Sequence, residues 1–200
     1  MENLNTYKIS NNPFETFLTW FEEAKKIDDN AEAFALATAS KDALPSVRYL
    51  LYKGLVDEKF RFFTNYDSDK ARDLDSNPFG SMAFFWRNSA RQVRVEGEVV
   101  RTSREVSKEY FASRDRESQI ASSVSSQSSE INSRNELLEN YEKFLTNVGE
   151  NDVPCPENWG GYFLKPTKIE FFIYGEHRLN DRFSFSLKDD GSWKISRLQP

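Results

Sequence analysis

The chain has 200 residues, enough for one domain with an ordinary core, and a net charge of −5. That acidic balance excludes broad nucleic-acid binding, which needs a dense basic face. The longest apolar runs fall short of the roughly 18 residues of a membrane-spanning helix, and one cysteine, Cys155, excludes an internal disulfide.

One Cys and one His fall short of the several ligands that a zinc site draws on. Met1–Ser10 is polar and lacks the apolar core of a signal peptide, so a cytoplasmic setting is the default. Residues 1–12 read as a flexible segment of a single domain over 1–200. Aromatics make up 14% of the chain, led by 17 Phe, which suits a packed interior and stacking surfaces for a planar ligand.

In chain order, Phe14, Phe17, Leu18 and Phe21 stand at i, i+3, i+4 and i+7 after Pro13 and predict one apolar helix face. Ala33–Ala39 reads as a buried strand, followed by strands over Ser46–Lys53 and Phe60–Thr64. Ser68–Ser76 reads as a short helix with Ser68 as its cap, ending near Asn77 and Pro78. Ser81–Trp86 and Arg91–Arg101 predict paired strands; in the second, Val93, Val95 and Val99 share a face opposite Gln92, Arg94, Glu96 and Glu98.

Ser103–Arg114 predicts a helix capped by Ser103, and Ser122–Ser129 has the composition of a flexible linker. Asn135–Val148 predicts another helix through Leu138, Tyr141 and Leu145. Strands return at Gly161–Leu164, Lys168–Tyr174, Arg182–Ser186 and Ser192–Ile195. Short links between strands favour a mainly β, antiparallel barrel with peripheral α-helices over a parallel sheet. Trp20, Trp86, Trp159 and Trp193 read as core or interface residues, His177 as a surface or packing residue, and Cys155 as an incidental loop residue.

The segment Arg48-Tyr-Leu-Leu-Tyr-Lys53 is apolar inside with a cation at each end. Lys70, Arg114, Arg178 and Arg182 likewise stand singly inside patterned segments. Cations placed singly in an acidic chain point to a defined phosphate ligand. In an ideal strand a spacing of five puts Arg48 and Lys53 on opposite faces. Either the strand end twists away, or the two serve different parts of a site.

Ten short motifs carry a resemblance over Asn12 to Pro200. They are NPF at Asn12–Phe14, PSVRYLLYKG at Pro45–Gly54, FFTNYDSDK at Phe62–Lys70, RQVRVEG at Arg91–Gly97 and YFASR at Tyr110–Arg114. SQSS at Ser126–Ser129, WGGY at Trp159–Tyr162, IEF at Ile169–Phe171, HRLNDR at His177–Arg182 and the closing WKISRLQP complete the set. Together they resemble the pyridoxamine 5′-phosphate oxidase family. The resemblance implies an FMN-binding split β-barrel, a homodimer with FMN at the subunit interface. The implied activity is oxidation of pyridoxamine or pyridoxine 5′-phosphate to pyridoxal 5′-phosphate, with O2 as acceptor and H2O2 as product. The alternatives are a related flavin oxidoreductase with another substrate and a non-catalytic FMN- or pyridoxal-phosphate-binding protein.

By the same resemblance, FMN contacts fall on Arg48, Tyr49, Leu50, Leu51, Tyr52, Lys53, Phe63, Thr64, Lys70, Gln92, Phe172 and Arg182, and on Gln127 and Ser128 from the partner subunit. Substrate contacts fall on Lys53, Tyr110, Arg114, Ser118, Arg178, Leu179 and Asn180, with Arg178 and Asn180 at the chemistry. If helical, the spacing of Tyr110, Arg114 and Ser118 lines up three donors for a phosphate dianion. If extended, Arg178, Asn180 and Arg182 all point one way.

Three positions depart from the family pattern. Asn180 stands for a histidine and cannot titrate near neutrality; Phe172 stands for a tryptophan and lacks the indole N–H. Asp69 stands for an arginine beside the FMN phosphate. A carboxylate about 4 Å from a phosphate charge costs roughly 4 kcal/mol at an effective dielectric near 20. Asp69 is therefore expected to point into solvent, leaving Lys70 and Arg48 to hold the phosphate, with weaker FMN affinity.

Overall fold

A computed structural model describes Tyr7 and residues 9–200. Most of the segment expected to be flexible, residues 1–6 and 8, lies outside the described residues; Ile9 is buried in the core. Asn12 caps helix α1 (Pro13–Ala24), its side chain accepting from the amides of Phe14 and Glu15, with Pro13 in the first turn. The buried face of α1 is Phe14, Phe17, Trp20 and Ala24. Leu18, expected on that face, is 42% exposed, and Phe21 is half-buried. The apolar stripe is rotated toward Trp20 and Ala24, which are fully buried with Phe17.

Nine strands form one antiparallel sheet: β1 (Ala33–Ala39), β2 (Pro45–Leu51), β3 (Leu55–Val56), β4 (Lys59–Asn65), β5 (Phe79–Trp86), β6 (Arg91–Arg101), β7 (Trp159–Ile173), β8 (Asp181–Leu187) and β9 (Trp193–Leu198). The order is β2-β1-β5-β6-β7-β4-β3, and β8 and β9 branch from β7. The first half of β7 pairs with β4 and the second half with β8, while β6 runs along the other side of both. That fork splits the barrel.

Two separate strands were expected where β7 runs unbroken through Pro166. A register shift between Glu96 and Gly97 lets the proline sit without donating to the ladder. Gly97 is required there, because a Cβ would lie 1.9 Å from the Lys165 carbonyl oxygen. The strand expected over Ser46–Lys53 stops at Leu51: Tyr52 turns into the core, and Gly54 takes a φ of +101°.

The core is aromatic. Phe17 packs edge-on against Tyr52, Phe60 and Phe84, and Trp20 against Phe171. Full burial of each such ring contributes about 2–3 kcal/mol. Trp20 and Trp86 are buried in it, and Trp193 packs against its edge. A second cluster, Phe111, Ile120, Val153 and Trp159, lies under the helices α3 (Arg104–Ala112), α4 (Arg116–Val124) and α5 (Arg134–Val148). Among the described residues, no helix is long and apolar enough to cross a membrane.

Candidate active site

The main cavity, about 760 Å³, opens where the end of β2 and the strand β4 face α3 and α4. Tyr49, Leu50, Leu51 and Lys53 form one wall, and Phe63, Thr64 and Asn65 of β4 form the next. Tyr110, Arg114, Ser118 and Ser122 close the far side, with Trp159 beneath and Gln127 at one end.

Tyr110, Arg114 and Ser118 converge, but not along one helix. The helix α3 ends at Ala112, and Asp115 caps α4 by accepting from the Ser118 amide at 2.7 Å. Arg114 therefore occupies the corner between two helices. Its guanidinium lies 4.9 Å from the Trp159 ring centre and donates to Ser122 Oγ at 2.8 Å. Phe63, Tyr110 and Trp159 stack nearly parallel; the centroids of Phe63 and Tyr110 are 3.9 Å apart and those of Phe63 and Trp159 5.4 Å.

The other end is lined by Asn65 and by Ser125 and Gln127 of the serine-rich stretch, with helix α2 (Asp69–Ser76) behind them. Ser68 precedes α2 as expected, but its hydroxyl donates back to the Asn65 carbonyl rather than capping the helix. Gln127 Oε1 accepts from Lys70 Nζ at 2.8 Å and from Thr64 Oγ1 at 3.1 Å. Ser125 O accepts from Asn65, and Ser128 Oγ from the Asp69 amide. The linker reading of Ser122–Ser129 fails, since α4 runs to Val124 and these contacts fix the rest. Gln127 and Ser128 contact Thr64, Lys70 and Asp69 within the chain.

Lys70 is only 5% exposed, and burial followed by the nearby Arg48 charge pushes its ammonium down to about 8. Burial also lowers Arg48, which donates to Thr38 Oγ1 at 2.7 Å and lies 3.9 Å from Asp73. Arg48 is thus engaged behind the cavity wall, whereas Lys53 reaches the cavity because the strand has already ended. Of the two ways to accommodate that spacing, the chain takes the turn. Asp69 is exposed and paired with Arg72, pointing into solvent as expected.

Among the described residues, Lys53, Lys70 and Arg114 make no ion pair. A buried ammonium held only by a neutral amide oxygen suits a phosphate, and the cavity is large enough for phosphorylated ring compounds.

Several expected contacts lie outside this cavity. Tyr52 is a core residue, with its ring against Phe17 and Phe21 and its hydroxyl unpartnered. Gln92, Phe172 and Arg182 form one cross-strand row on β6, β7 and β8. Arg182 lies 5.9 Å from the Phe172 ring centre and is gripped by the buried carboxylate of Glu170, which also pairs with Arg94 at 2.5 Å. Burial pushes the Glu170 carboxyl up, but hydrogen bonds from Arg182 and Arg94 outweigh it and leave it below the usual range.

Arg178, Leu179 and Asn180 lie on the β7–β8 connection. Its residues 176–178 form a 3₁₀ turn, so Arg178, Asn180 and Arg182 do not alternate along a strand. His177 is exposed there, and Cys155 is a half-buried loop residue.

Trp159 and Ser122, which set Arg114, were not singled out as site residues. The available signals were the aromatic residue beside the paired glycines of WGGY and the capping Asp115.

A forked antiparallel sheet with a cationic, aromatic-walled cavity at its rim defines a split-barrel protein built for a phosphorylated planar ligand. Residues 21–146 match the family described as pyridoxamine 5′-phosphate oxidase, and residues 159–200 match the pyridoxine 5′-phosphate oxidase C-terminal dimerisation region. The chain belongs to the pyridoxamine 5′-phosphate oxidase family.

It is 44% identical over 200 residues to the pyridoxine/pyridoxamine 5′-phosphate oxidase of Aliarcobacter butzleri, covering 98% of this chain and 93% of that one. Identity to the Coxiella burnetii protein of the same name is 45%, covering 96% and 97%. Among solved structures, PhzG from Burkholderia lata 383, in complex with tetrahydrophenazine-1-carboxylic acid, aligns with a TM-score of 0.92 at 26% identity, covering 99% of this chain and 98% of that one.

Proposed function

We propose that the protein oxidises pyridoxamine 5′-phosphate and pyridoxine 5′-phosphate to pyridoxal 5′-phosphate, with FMN as cofactor, O2 as electron acceptor and H2O2 as product. Family membership supports the reaction class. The observation that carries the reading is the placement of three cations without ion pairs among the described residues: Lys53 and Arg114 on a cavity walled by stacked rings, and Lys70 buried behind its lining residue Gln127. Two phosphorylated ligands need two separate cationic groups: Lys53 and Arg114 line the cavity, and Lys70 stands behind Gln127 at its end.

Bound FMN supplies the two-electron acceptor. Lys70 would hold its phosphate and Ser128 would donate to it, with Arg48 adding its charge from behind the wall, where Thr38 and Asp73 engage it. Because Gln127 Oε1 is occupied by Lys70 and Thr64, its amide N–H groups are left to donate to FMN. Phe63, Thr64 and the β2 segment Tyr49, Leu50, Leu51 with Tyr52 border the ring system, the last through its backbone. Gln92, Phe172 and Arg182 complete the flavin site from their cross-strand row.

Lys53, Tyr110, Arg114 and Ser118 take the substrate phosphate, the guanidinium by paired charge-assisted bonds. Arg178, Leu179 and Asn180, on the β7–β8 connection, would cover the pyridine ring and orient its reacting carbon toward bound FMN. The working form is a cytoplasmic homodimer. The dimerisation region at 159–200 carries the Phe172–Arg182 row, which supports a cofactor site completed between subunits.

The test is O2-dependent turnover of pyridoxamine 5′-phosphate by FMN-saturated protein, read as pyridoxal 5′-phosphate absorbance. FMN-loaded protein that yields no product overturns the reading. The likeness to PhzG favours a second reading, oxidation of a tricyclic carboxylic acid whose carboxylate meets Arg114. Turnover of such an acid in preference to the phosphorylated amine would establish it.

A further inference from the structure

The seven residues between β7 and β8 include two consecutive non-glycine residues with left-handed backbone. The base of this connection is closed by the pairing of Ile173 with Asp181. Asp181 is itself held by Tyr7 Oη and by Arg197. Above the base, His177 and Arg178 both adopt left-handed φ, 54° and 64°, a conformation that non-glycine residues avoid. The chain doubles back so tightly that a Cβ on Gly175 would lie 2.2 Å from the Leu179 carbonyl oxygen. Two hydrogen bonds span the bend. Leu179 N donates to Glu176 O at 3.0 Å, and Gly175 N donates to the side-chain Oδ1 of Asn180 at 3.1 Å.

Among the described residues, the Arg178 guanidinium makes no hydrogen bond and no ion pair, and the neighbouring acid Asp181 is taken by Arg197. Among the described residues no polar side-chain contact aims Arg178, so the backbone of the bend sets the direction in which it leaves the chain. We propose that Asn180 is a positioning residue. Its amide oxygen clamps Gly175 across the bend and holds the left-handed His177–Arg178 pair that presents Arg178 to the substrate. The clamp needs an acceptor at position 180, not a proton donor or a titrating group. That explains how an asparagine serves where the family has a histidine. The inference rests on the reading of Arg178 as a substrate-side residue.

Three variants of the FMN-loaded protein test it. Asn180→Ala removes the acceptor, Gly175→Ala forces the bend open, and Asn180→Asp keeps an oxygen in the same place. Hydrogen exchange of the 174–180 peptide reports the clamp without reference to activity. Exchange is expected to speed in the first two variants and to stay slow in the third. With pyridoxamine 5′-phosphate, kcat is expected to fall about tenfold in Asn180→Ala and Gly175→Ala, and Asn180→Asp to recover most of that loss. The added charge of the aspartate shows in KM for the anionic substrate instead.

Unchanged exchange in Asn180→Ala overturns the clamp. Faster exchange with unaltered kcat overturns its link to Arg178. An Asn180→Asp enzyme as slow as Asn180→Ala overturns the acceptor role and assigns Asn180 a hydrogen bond donated to substrate. If the unaltered protein binds FMN but turns nothing over, the proposed function fails, and exchange alone then decides the clamp.

Discussion

Lys70 carries a proton in a place that favours the neutral amine. Its ammonium is pushed to about 8 from an ordinary 10.5, first by burial and then by Arg48. Between those values the unfolded chain binds the extra proton, so stability of the apoprotein rises as pH goes from about 8 toward 10.5. FMN reverses the sign, because a phosphate beside Lys70 favours the charged form. FMN affinity is flat below pH 8 and falls above it, as binding begins to take up a proton. Lys70→Met is expected to weaken FMN binding, remove this pH dependence and stabilise the apoprotein below pH 8. Fluorescence titrations and melting curves across pH 6–10 check all three.

Asp69 gives a second residue-scale prediction. Exposed and paired with Arg72, it acts on the cofactor only through screened space. Asp69→Arg should tighten FMN by a few-fold at low salt and by less at high salt. An equal gain at both ionic strengths would place the side chain against the phosphate instead. Lys53, Lys70 and Arg114 make no ion pair among the described residues, and cations that stand alone in the chain were legible in the sequence as candidate ligand groups. Their partners were not: nothing local says that Arg48 is engaged by Asp73 or that Arg114 lies on Trp159, since those contacts join residues far apart in sequence.

At the scale of elements, the cavity wall depends on a glycine in β7. Gly161 faces Phe63 across the ladder, and a Cβ there would sit 2.7 Å from the Phe63 ring and 2.8 Å from Thr102. Gly161→Ala is expected to displace the Phe63–Tyr110 stack, lower the melting temperature and weaken substrate more than FMN. Melting curves and separate titrations with FMN and pyridoxal 5′-phosphate check this; equal losses for both ligands would mean that the whole sheet has shifted. Strands with clean alternation, such as β6, were readable because one face is buried throughout. The β7 strand was not, because Pro166 reads as a break until the register shift at Gly97 is seen. The helix α4 was hidden by its serines, whose weak propensity is overridden by the Asp115 cap and by packing of Ile120.

Over the whole molecule, the proposed flavin contacts divide into two groups. Lys70, Thr64 and Gln127 meet at the cavity, whereas Gln92, Phe172 and Arg182 stand together on a different part of the sheet. Large apolar side chains remain exposed on β2, β5 and the β7–β8 connection: Tyr49 at 79%, Val47 at 68%, Phe85 at 59% and Leu179 at 70%. A surface of that kind marks an interface. With the two groups apart in one chain, the proposed two-fold pairing would make each such site a product of both chains. The expected outcome is complementation. Lys70→Ala and Arg182→Ala are each inactive alone, but a mixed dimer carries both lesions in one site and none in the other. Equal mixing with free subunit exchange then gives half mixed dimers and about a quarter of the wild-type activity. Activity and bound FMN should recover together as the mixed species forms on a native separation. No recovery in demonstrated mixed dimers would place both residues in the site of a single chain.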